Sequence, residues 1–196
     1  MTEKNSEAEM PANATAAAQL PPVHGVGGQL PKGKKIRGAI VGVGNCASSL
    51  VQGRYYYENA ADTDEIPGLM HVNLGGYHIS DVEFVAAFDI DKNKVGKDIS
   101  EAIYTKPNNT FVFQKVPNLG VKVERGMTHD GLGKYLSQII EKAPGPTADV
   151  VGILKERKVD LVVSYLPVGS EEATKWYVEQ ALQAGCGRSA SPASGA

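Results

Sequence analysis

The sequence predicts an α/β fold in which a mostly parallel sheet carries helices on both of its faces. Three apolar runs, 36–43, 82–89 and 159–166, have the length and composition of buried strands. Segments with helical spacing of apolar residues follow each of these runs. Strands that alternate with helices form parallel βαβ units, because the connecting helix packs back onto the sheet.

Between the first two strands we expect one helix and one irregular segment. Residues 47–59 have helical spacing, and residues 60–80 contain the turn signals Pro67-Gly68 and Gly75-Gly76. A further helix is predicted over 91–103, directly after the second strand. The segment 60–80 therefore lies in a connection and interrupts no strand.

The second half of the chain is predicted to hold two short strands and three helices. Thr147 and Ser170 are predicted N-caps, and Gly185 is the predicted stop signal of the last helix. The predicted elements are strands at 111–113 and 121–124 and helices at 132–142, 147–158 and 170–184.

Length and composition restrict the function classes. The chain has 196 residues, a formal net charge of −2 and a hydrophobic share of 42%. That share is sufficient for a hydrophobic core, whereas the near-zero charge argues against a nucleic-acid binder that neutralises phosphates. No apolar run approaches the roughly 18 residues of a membrane span. Neither nucleic acid nor a membrane is therefore an expected partner.

Three regions are expected along the chain. Residues 1–34 are rich in Ala, Pro and Gly and lack the pattern of a signal peptide, so we expect a disordered tail. Residues 35–186 are expected to form one domain, and no element is predicted in 187–196. With no export signal, and with Cys46 and Cys186 as the two cysteines, the expected location is the cytoplasm.

A dinucleotide-binding motif follows the first strand. Gly42-Val43-Gly44-Asn45-Cys46-Ala47 fits G-x-G-x-x-G/A and opens a predicted helix. Gly42 permits a tight turn, Gly44 lets a pyrophosphate approach the backbone, and Ala47 lets the helix pack close to the sheet. The helix N-terminus offers free N–H groups to the phosphates, and Ser48 adds a hydroxyl donor.

An acidic residue at the end of the second strand completes this fingerprint. Asp89 holds that position, although it lies farther from Gly42 than the usual roughly twenty residues, because 60–80 is inserted between them. With Ile90 next to it and no arginine, Asp89 favours NAD over NADP. Asp91 competes for the same role, but it fits better as the N-cap of the following helix.

The segment after the third strand is a second candidate site. Ser164 and the residues up to Ser170 lie at the carboxyl end of the third strand. This is the same sheet edge as the glycine motif, and ligands of open α/β sheets bind there. They either line the nicotinamide side of a cofactor or form an ordinary strand–helix loop.

Cys46 is expected to pack or to contact the cofactor rather than act as a nucleophile. The histidines show no metal-ligand spacing, so no metal site is expected.

Ordered blocks of sequence between Ile36 and Cys186 carry a family resemblance. On these blocks the chain resembles the short, prokaryotic-type myo-inositol-1-phosphate synthases, also called inositol-3-phosphate synthases. The blocks are Ala39–Gly53, Pro67–Val72, Phe84–Asp89, Pro107–Thr110, Asp130–Tyr135 and Val163–Ala173.

The resemblance implies an activity, a cofactor and a set of site residues. It implies conversion of D-glucose 6-phosphate to 1D-myo-inositol 3-phosphate with bound NAD, through internal oxidation, aldol cyclisation and reduction. It also implies a homotetramer. By matching position, the loop Gly42–Ser49, with Asn45 and Cys46, would hold the pyrophosphate, and Asp89 with Ile90 the adenosine. Further cofactor-side positions implied by the resemblance are Asp98, Asn108, Asn109, Ser164, Leu166, Pro167 and Tyr177.

The chain also departs from the family pattern. Met127 and His129 stand where the family usually has a proline and an apolar residue, and the likeness ends after Cys186. The resemblance implies that the last sheet strands and a second α+β domain, with its catalytic lysines, are missing. We therefore expect an incomplete Rossmann-like domain with no assigned catalytic residue and little turnover alone. The alternatives are a non-catalytic NAD-binding module, an inactive partner of full-length subunits, or a dehydrogenase with another substrate.

Overall fold

A five-stranded parallel sheet organises the fold in the computed structural model, which describes residues 35–61 and 63–190. The tail predicted for 1–34 lies outside the described residues, as do residues 191–196. The sheet strands are β1 (Ile36–Val41), β2 (Val82–Asp89), β3 (Val123–Arg125), β4 (Leu161–Ser164) and β5 (Gly187–Ala190).

The strand order places β1 at a topological switch point. In space the order is β3-β2-β1-β4-β5, and β1 pairs in parallel with both β2 and β4. The chain therefore adds β2 and β3 on one side of β1 and later adds β4 and β5 on the other side. This is the doubly wound order of dinucleotide-binding folds, so the predicted Rossmann-like fold class is confirmed. The β1–β2 register shifts between Gly38 and Ala39, at a glycine that has no side chain to pack within the strand.

Helices cover both faces of the sheet, because side chains alternate along each strand. The helices are α1 (Asn45–Tyr56), α2 (Ile99–Ala102), α3 (Val150–Glu156) and α4 (Glu171–Ala184). Ala39 and Val41 are buried in one cluster with Leu154 of α3 and residues of α4. Ile40 faces the opposite cluster, where it packs with Val51 of α1 and residues of α2.

Residues 91–103 form turns before a short α2, and not the long helix predicted from their spacing. The Asp91 carboxylate accepts the N–H of Asn93 at 2.8 Å. Gly96 then has a φ of +87°, a left-handed conformation that interrupts a helix. The Asp98 carboxylate accepts the N–H of Ser100 at 2.9 Å and starts α2 at Ile99. The N-cap role predicted for Asp91 is therefore wrong, and Asp98 has it.

Two other elements do not form as predicted. Residues 111–113 pair with no strand, because the side chain of Gln52 bonds their backbone at Phe113 N–H (3.0 Å) and Phe111 C=O (3.3 Å). The helix predicted over 132–142 is reduced to one 3₁₀ turn at Leu136–Gln138. The insertion 60–80 is irregular as expected and carries a two-residue hairpin of Asn73–Leu74 with Tyr77–His78.

The three predicted ends of the later helices have different outcomes. Asp149, not Thr147, caps α3, since its carboxylate accepts the N–H of Gly152 at 2.9 Å. Ser170 occupies the N-cap position of α4 but makes no capping hydrogen bond through its side chain. Gly185 ends α4 in the left-handed conformation with a φ of +79°, as predicted.

The structure adds a strand where none was predicted. Gly187–Ala190 form β5, which pairs in parallel with β4 from Leu161↔Gly187 to Ser164↔Ala190. The prediction that no element forms after Cys186 is therefore wrong for these four residues. Backbone pairing needs no particular side chain, which is why composition gave no signal for it. Among the described residues, no helix has both the length and the apolar character needed to cross a bilayer.

Candidate functional site

A cleft of about 420 Å³ opens at the carboxyl ends of β1 and β4. It lies at the switch point of the sheet, the position where open α/β sheets bind ligands. Its volume falls within the range of small-molecule sites. Most of its lining comes from α4 and from five further segments: Val41–Asn45, Phe88–Ile90, Pro107–Asn109, Met127–Leu132 and Tyr165–Pro167.

The two glycines of the motif have different structural reasons. Gly42 has a φ of +85°, and a Cβ there would lie 2.9 Å from the carbonyl oxygen of Tyr165. That position therefore admits glycine only, as the predicted tight turn requires. Gly44 is the N-cap of α1, and a Cβ there would meet no atom within 4 Å. Open space thus lies beside the backbone where the sequence predicts a phosphate.

The N-terminus of α1 has no capping side chain among the residues that the structure describes. Its first turn also contains no acidic residue. The first N–H groups of a helix have no partner within the helix, and the dipole there favours negative charge. The open space at Gly44 and the uncapped helix end together form a backbone cradle for an anion.

Asp89 braces the glycine loop from the end of β2. Its Oδ2 accepts the N–H of Val43 at 2.7 Å, and its Oδ1 accepts those of Ile90 (2.7 Å) and Asp91 (2.9 Å). The carboxylate lines the cleft, as does Ile90, in agreement with the predicted location. Asp91 is fully buried and lies outside the lining, so of these two candidates Asp89 is the one placed at the cleft.

Asn45 joins the glycine loop to the segment after Pro107. Its Oδ1 accepts the N–H groups of Asn109 (2.9 Å) and Thr110 (3.1 Å), and its Nδ2 donates to Asn109 Oδ1 at 2.8 Å. Asn45 and Asn109 both line the cleft, so two predicted site residues are brought together. Their amides also hold each other, a contact that their sequence separation did not predict.

Tyr177 of α4 supports the wall opposite the glycine loop. Its hydroxyl accepts the N–H of Met127 at 3.1 Å, and its ring packs at 6.2 Å from that of Phe88. Burial raises the pKa of Tyr177 well above its usual value. The phenol therefore stays protonated at neutral pH, and its oxygen holds the backbone of Met127 at the wall of the cleft.

Two hydroxyl groups in the cleft lack partners among the described residues. They belong to Thr128 and Ser170, and Ser170 is only 5% exposed. The N–H groups at the start of α4 go instead to Asp130, whose carboxylate accepts from Glu172 (2.8 Å) and Ala173 (3.0 Å). Buried polar groups normally have a hydrogen-bond partner, so these two covered hydroxyls are unsatisfied positions within the cleft wall.

Several predicted site residues do not line the cleft. Cys46 is exposed, whereas Ala47 and Ser48 are buried residues of α1. Ser48 Oγ accepts a hydrogen bond from Gln52 Nε2, one turn later in the same helix, at 3.1 Å. Ser164 lines a separate small cavity between β4 and α4. Leu166 and Pro167 do line the cleft. Ala47 thus has its predicted packing role, while the hydroxyl of Ser48 is directed inward to the helix.

Asp98 also lies outside the cleft. Its carboxylate accepts hydrogen bonds from Ser100, from the N–H of Leu119 at 3.2 Å and from the N–H of Val121 at 2.8 Å. Burial acts to raise the pKa of Asp98, but these hydrogen bonds outweigh it and hold the pKa below its usual value. Asp98 therefore fixes the loop before β3 and is not among the residues that line the cleft.

Lys94 is a cleft residue that the sequence analysis missed. It is 3% exposed, and its Nζ donates to the carbonyl of Val43 and to Oδ1 of Asn108, each at 2.9 Å. The expectation of a long helix over 91–103 hid it, because a lysine on such a helix is normally solvated. Within the described part of the chain, no group of three His, Cys, Asp or Glu side chains is arranged to hold a metal ion.

Comparison with known proteins gives the cleft a family context. No family model matches the chain. It is 58% identical over 151 residues, 77% of its length, to the inositol-3-phosphate synthase of Mycolicibacterium smegmatis, of which it covers 42%. The corresponding identities are 58% for Mycobacterium tuberculosis (41% covered) and 52% for Corynebacterium glutamicum (42% covered). The chain thus spans about two fifths of the length of these relatives.

A solved structure agrees with these sequence matches. The crystal structure of Ari2 superposes with a TM-score of 0.65 at 32% identity, over 79% of this chain and 44% of that one. Sequence and fold similarity therefore extend over most of the described residues. Over this region the chain is a homologue of the inositol-3-phosphate synthases, as the resemblance of its motifs indicated.

Proposed function

We propose that this chain is an NAD-binding part of an inositol-3-phosphate synthase and that the cleft is its cofactor site. One observation carries the proposal: Gly44 leaves open space beside the uncapped N-terminus of α1, at the switch point of a 3-2-1-4-5 sheet. That combination supplies backbone N–H groups and a positive dipole to a pyrophosphate.

The lining residues fit a dinucleotide along the length of the cleft. Gly44 and the first turn of α1 would hold the pyrophosphate. Asp89 and Ile90 would hold the adenosine, and the charge of the carboxylate disfavours the 2′-phosphate of NADP. Leu166 and Pro167, which line the cleft on the side of β4, suit the nicotinamide end. The chemistry that NAD supplies when bound is reversible hydride transfer.

The proposed reaction of the whole enzyme is conversion of D-glucose 6-phosphate to 1D-myo-inositol 3-phosphate in a cytoplasmic homotetramer. For this chain alone we propose little turnover. Lys94 is the lysine of the cleft lining, and the carboxylates of Asp89 and Asp130 already accept backbone N–H groups. The reaction needs acid–base groups and cations near the sugar phosphate, and the described lining residues offer few of either.

A second candidate is a non-catalytic NAD-binding module, or an inactive partner of full-length subunits. The same occupied carboxylates favour it, because they leave the cleft able to bind but poorly equipped for proton transfer. The two candidates share the cofactor site and differ in turnover.

Two experiments separate these possibilities. The first is calorimetric titration of the purified chain with NAD and with NADP, and the second is an assay of inositol phosphate formed from glucose 6-phosphate. Saturable NAD binding with weaker NADP binding supports the cofactor site. Turnover would establish a working synthase and overturn the proposal of little activity. Absence of NAD binding by a cooperatively folded chain would overturn the cofactor site itself.

A further inference from the structure

The ammonium group of Lys94 is a buried charge at the edge of the cleft. The side chain is 97% removed from solvent, since its exposed fraction is 3%. Within the described part of the chain, no carboxylate lies within the 4.0 Å that would make an ion pair with its Nζ. Burial of a charge without an opposite charge is unfavourable, so a site that keeps one is suited to an anionic ligand.

Two protein oxygens fix this ammonium and leave part of its donor capacity unused. Nζ donates to the carbonyl of Val43 and to Oδ1 of Asn108, each at 2.9 Å. A lysine ammonium carries three N–H bonds, so one remains. Asn108 is itself held, because its Nδ2 donates to Val43 O (3.1 Å) and to Ile103 O (3.0 Å). The charge is therefore anchored to the backbone between the two glycines of the motif.

We propose that Lys94 is the cationic binding residue for phosphate groups in this cleft and that it also positions the glycine loop through Val43. The inference deepens the proposed function, and it rests on that function only in requiring a ligand that carries phosphate. The helix N-terminus contributes partial charge from its backbone. Lys94 contributes the full positive charge that a pyrophosphate needs, and the ligand offsets the cost of burying it.

Ligands that share a base and differ in charge test this role. The variant Lys94→Met keeps the length of the side chain and removes its charge, while Lys97→Met is the matched control. Lys97 is exposed in the same segment, and its Nζ donates to Thr105 Oγ1 at 3.2 Å. Calorimetric affinities for NAD, ADP, adenosine and inorganic pyrophosphate are measured for both variants and the wild type, together with their melting temperatures.

We expect Lys94→Met to weaken ADP, NAD and pyrophosphate binding roughly 10- to 100-fold, the loss of one charged hydrogen bond. Adenosine binding and the Lys97→Met variant should match the wild type. An equal loss for adenosine and ADP would show a purely structural role and overturn the inference. So would unchanged ADP binding in Lys94→Met. A wild type that binds pyrophosphate through Lys94 but not NAD would overturn the proposed cofactor and keep this inference. Binding of none of the ligands by folded wild type would overturn both.

Discussion

Replacement of Gly44 by alanine separates the fold from cofactor binding. Gly44 has a φ of −95° and a ψ of −160°, an extended conformation open to any residue, and its Cβ would meet no atom within 4 Å. Alanine at an N-cap costs about 0.5 to 1 kcal/mol relative to glycine. The reduced entropy of the unfolded chain returns about 0.4 to 1 kcal/mol. The free energy of unfolding should therefore change by less than about 0.5 kcal/mol.

Binding should respond much more strongly to the same substitution. The added methyl group occupies the open space through which a pyrophosphate reaches the first N–H groups of α1. Each hydrogen bond to a charged group that is lost costs about 1.5 to 3 kcal/mol. We expect the Kd for NAD to rise at least about tenfold, which corresponds to about 1.4 kcal/mol or more.

Calorimetry with NAD and urea denaturation of the same preparation measure both quantities. Gly53→Ala is the matched control, because Gly53 lies in the same helix and its Cβ would also meet no atom within 4 Å. That control should raise stability by about 0.5 to 1 kcal/mol and leave the Kd unchanged. If Gly44→Ala binds NAD as tightly as the wild type, the phosphate does not lie at this loop and the reasoning fails.

Three further perturbations test the fold around the cleft. Gly42→Ala should lower the free energy of unfolding by about 2 kcal/mol or more in urea denaturation, because its φ is +85°; wild-type stability would refute the turn. Leu154→Ala should cost about 2 to 5 kcal/mol by the same assay, because the side chain is 1% exposed, and a smaller loss would contradict its core position. Backbone N–H groups of Ala173 and Glu172 lower the pKa of Asp130, so its charge stabilises the fold above the unfolded pKa of about 3.9. Asp130→Ala should therefore be less stable than wild type at pH 7, and the difference should disappear as the pH falls through the lowered pKa. A difference in stability that does not depend on pH would exclude a stabilising role for the hydrogen bonds from the start of α4 to this carboxylate.

The main strands and the glycine motif were predictable, because each depends on local sequence. The three apolar runs became β1, β2 and β4, and Gly42 needs a left-handed backbone that few other residues adopt. The end of α4 at Gly185 follows the same logic. Periodicity and glycine conformation act over a few residues, so one sequence suffices to detect them.

Contacts between distant segments were not predictable in the same way. The Asn45–Asn109 pair joins residues 64 positions apart, and the Lys94 contact to Val43 spans 51. The spacing of 91–103 predicted a helix, but Gly96 with a φ of +87° and the carboxylate of Asp91 redirected the chain into turns. Local side-chain-to-backbone hydrogen bonds and the conformation of Gly96 outweighed helix propensity there.

The unpredicted strand β5 has a related cause. A parallel strand gains its hydrogen bonds from its neighbour, and Gly187–Ala190 use the open edge of β4 although their composition is not typical of a strand. The expectation of an unstructured segment was drawn from side chains alone. The unpaired edge of β4 exists only when the sheet is assembled, so no local sequence pattern indicates it.

The most direct test of the cofactor site is an NMR titration of the nitrogen-15-labelled chain with NAD. The account predicts saturable shifts of the backbone amides of Gly44, Asn45 and Cys46, at the glycine loop and the first turn of α1, together with a shift at Ile90 near the proposed adenosine. Adenosine alone should shift Ile90 and leave the α1 amides nearly unchanged. Saturable shifts confined to another surface, or none at millimolar NAD, would contradict the central claim that this cleft binds the dinucleotide.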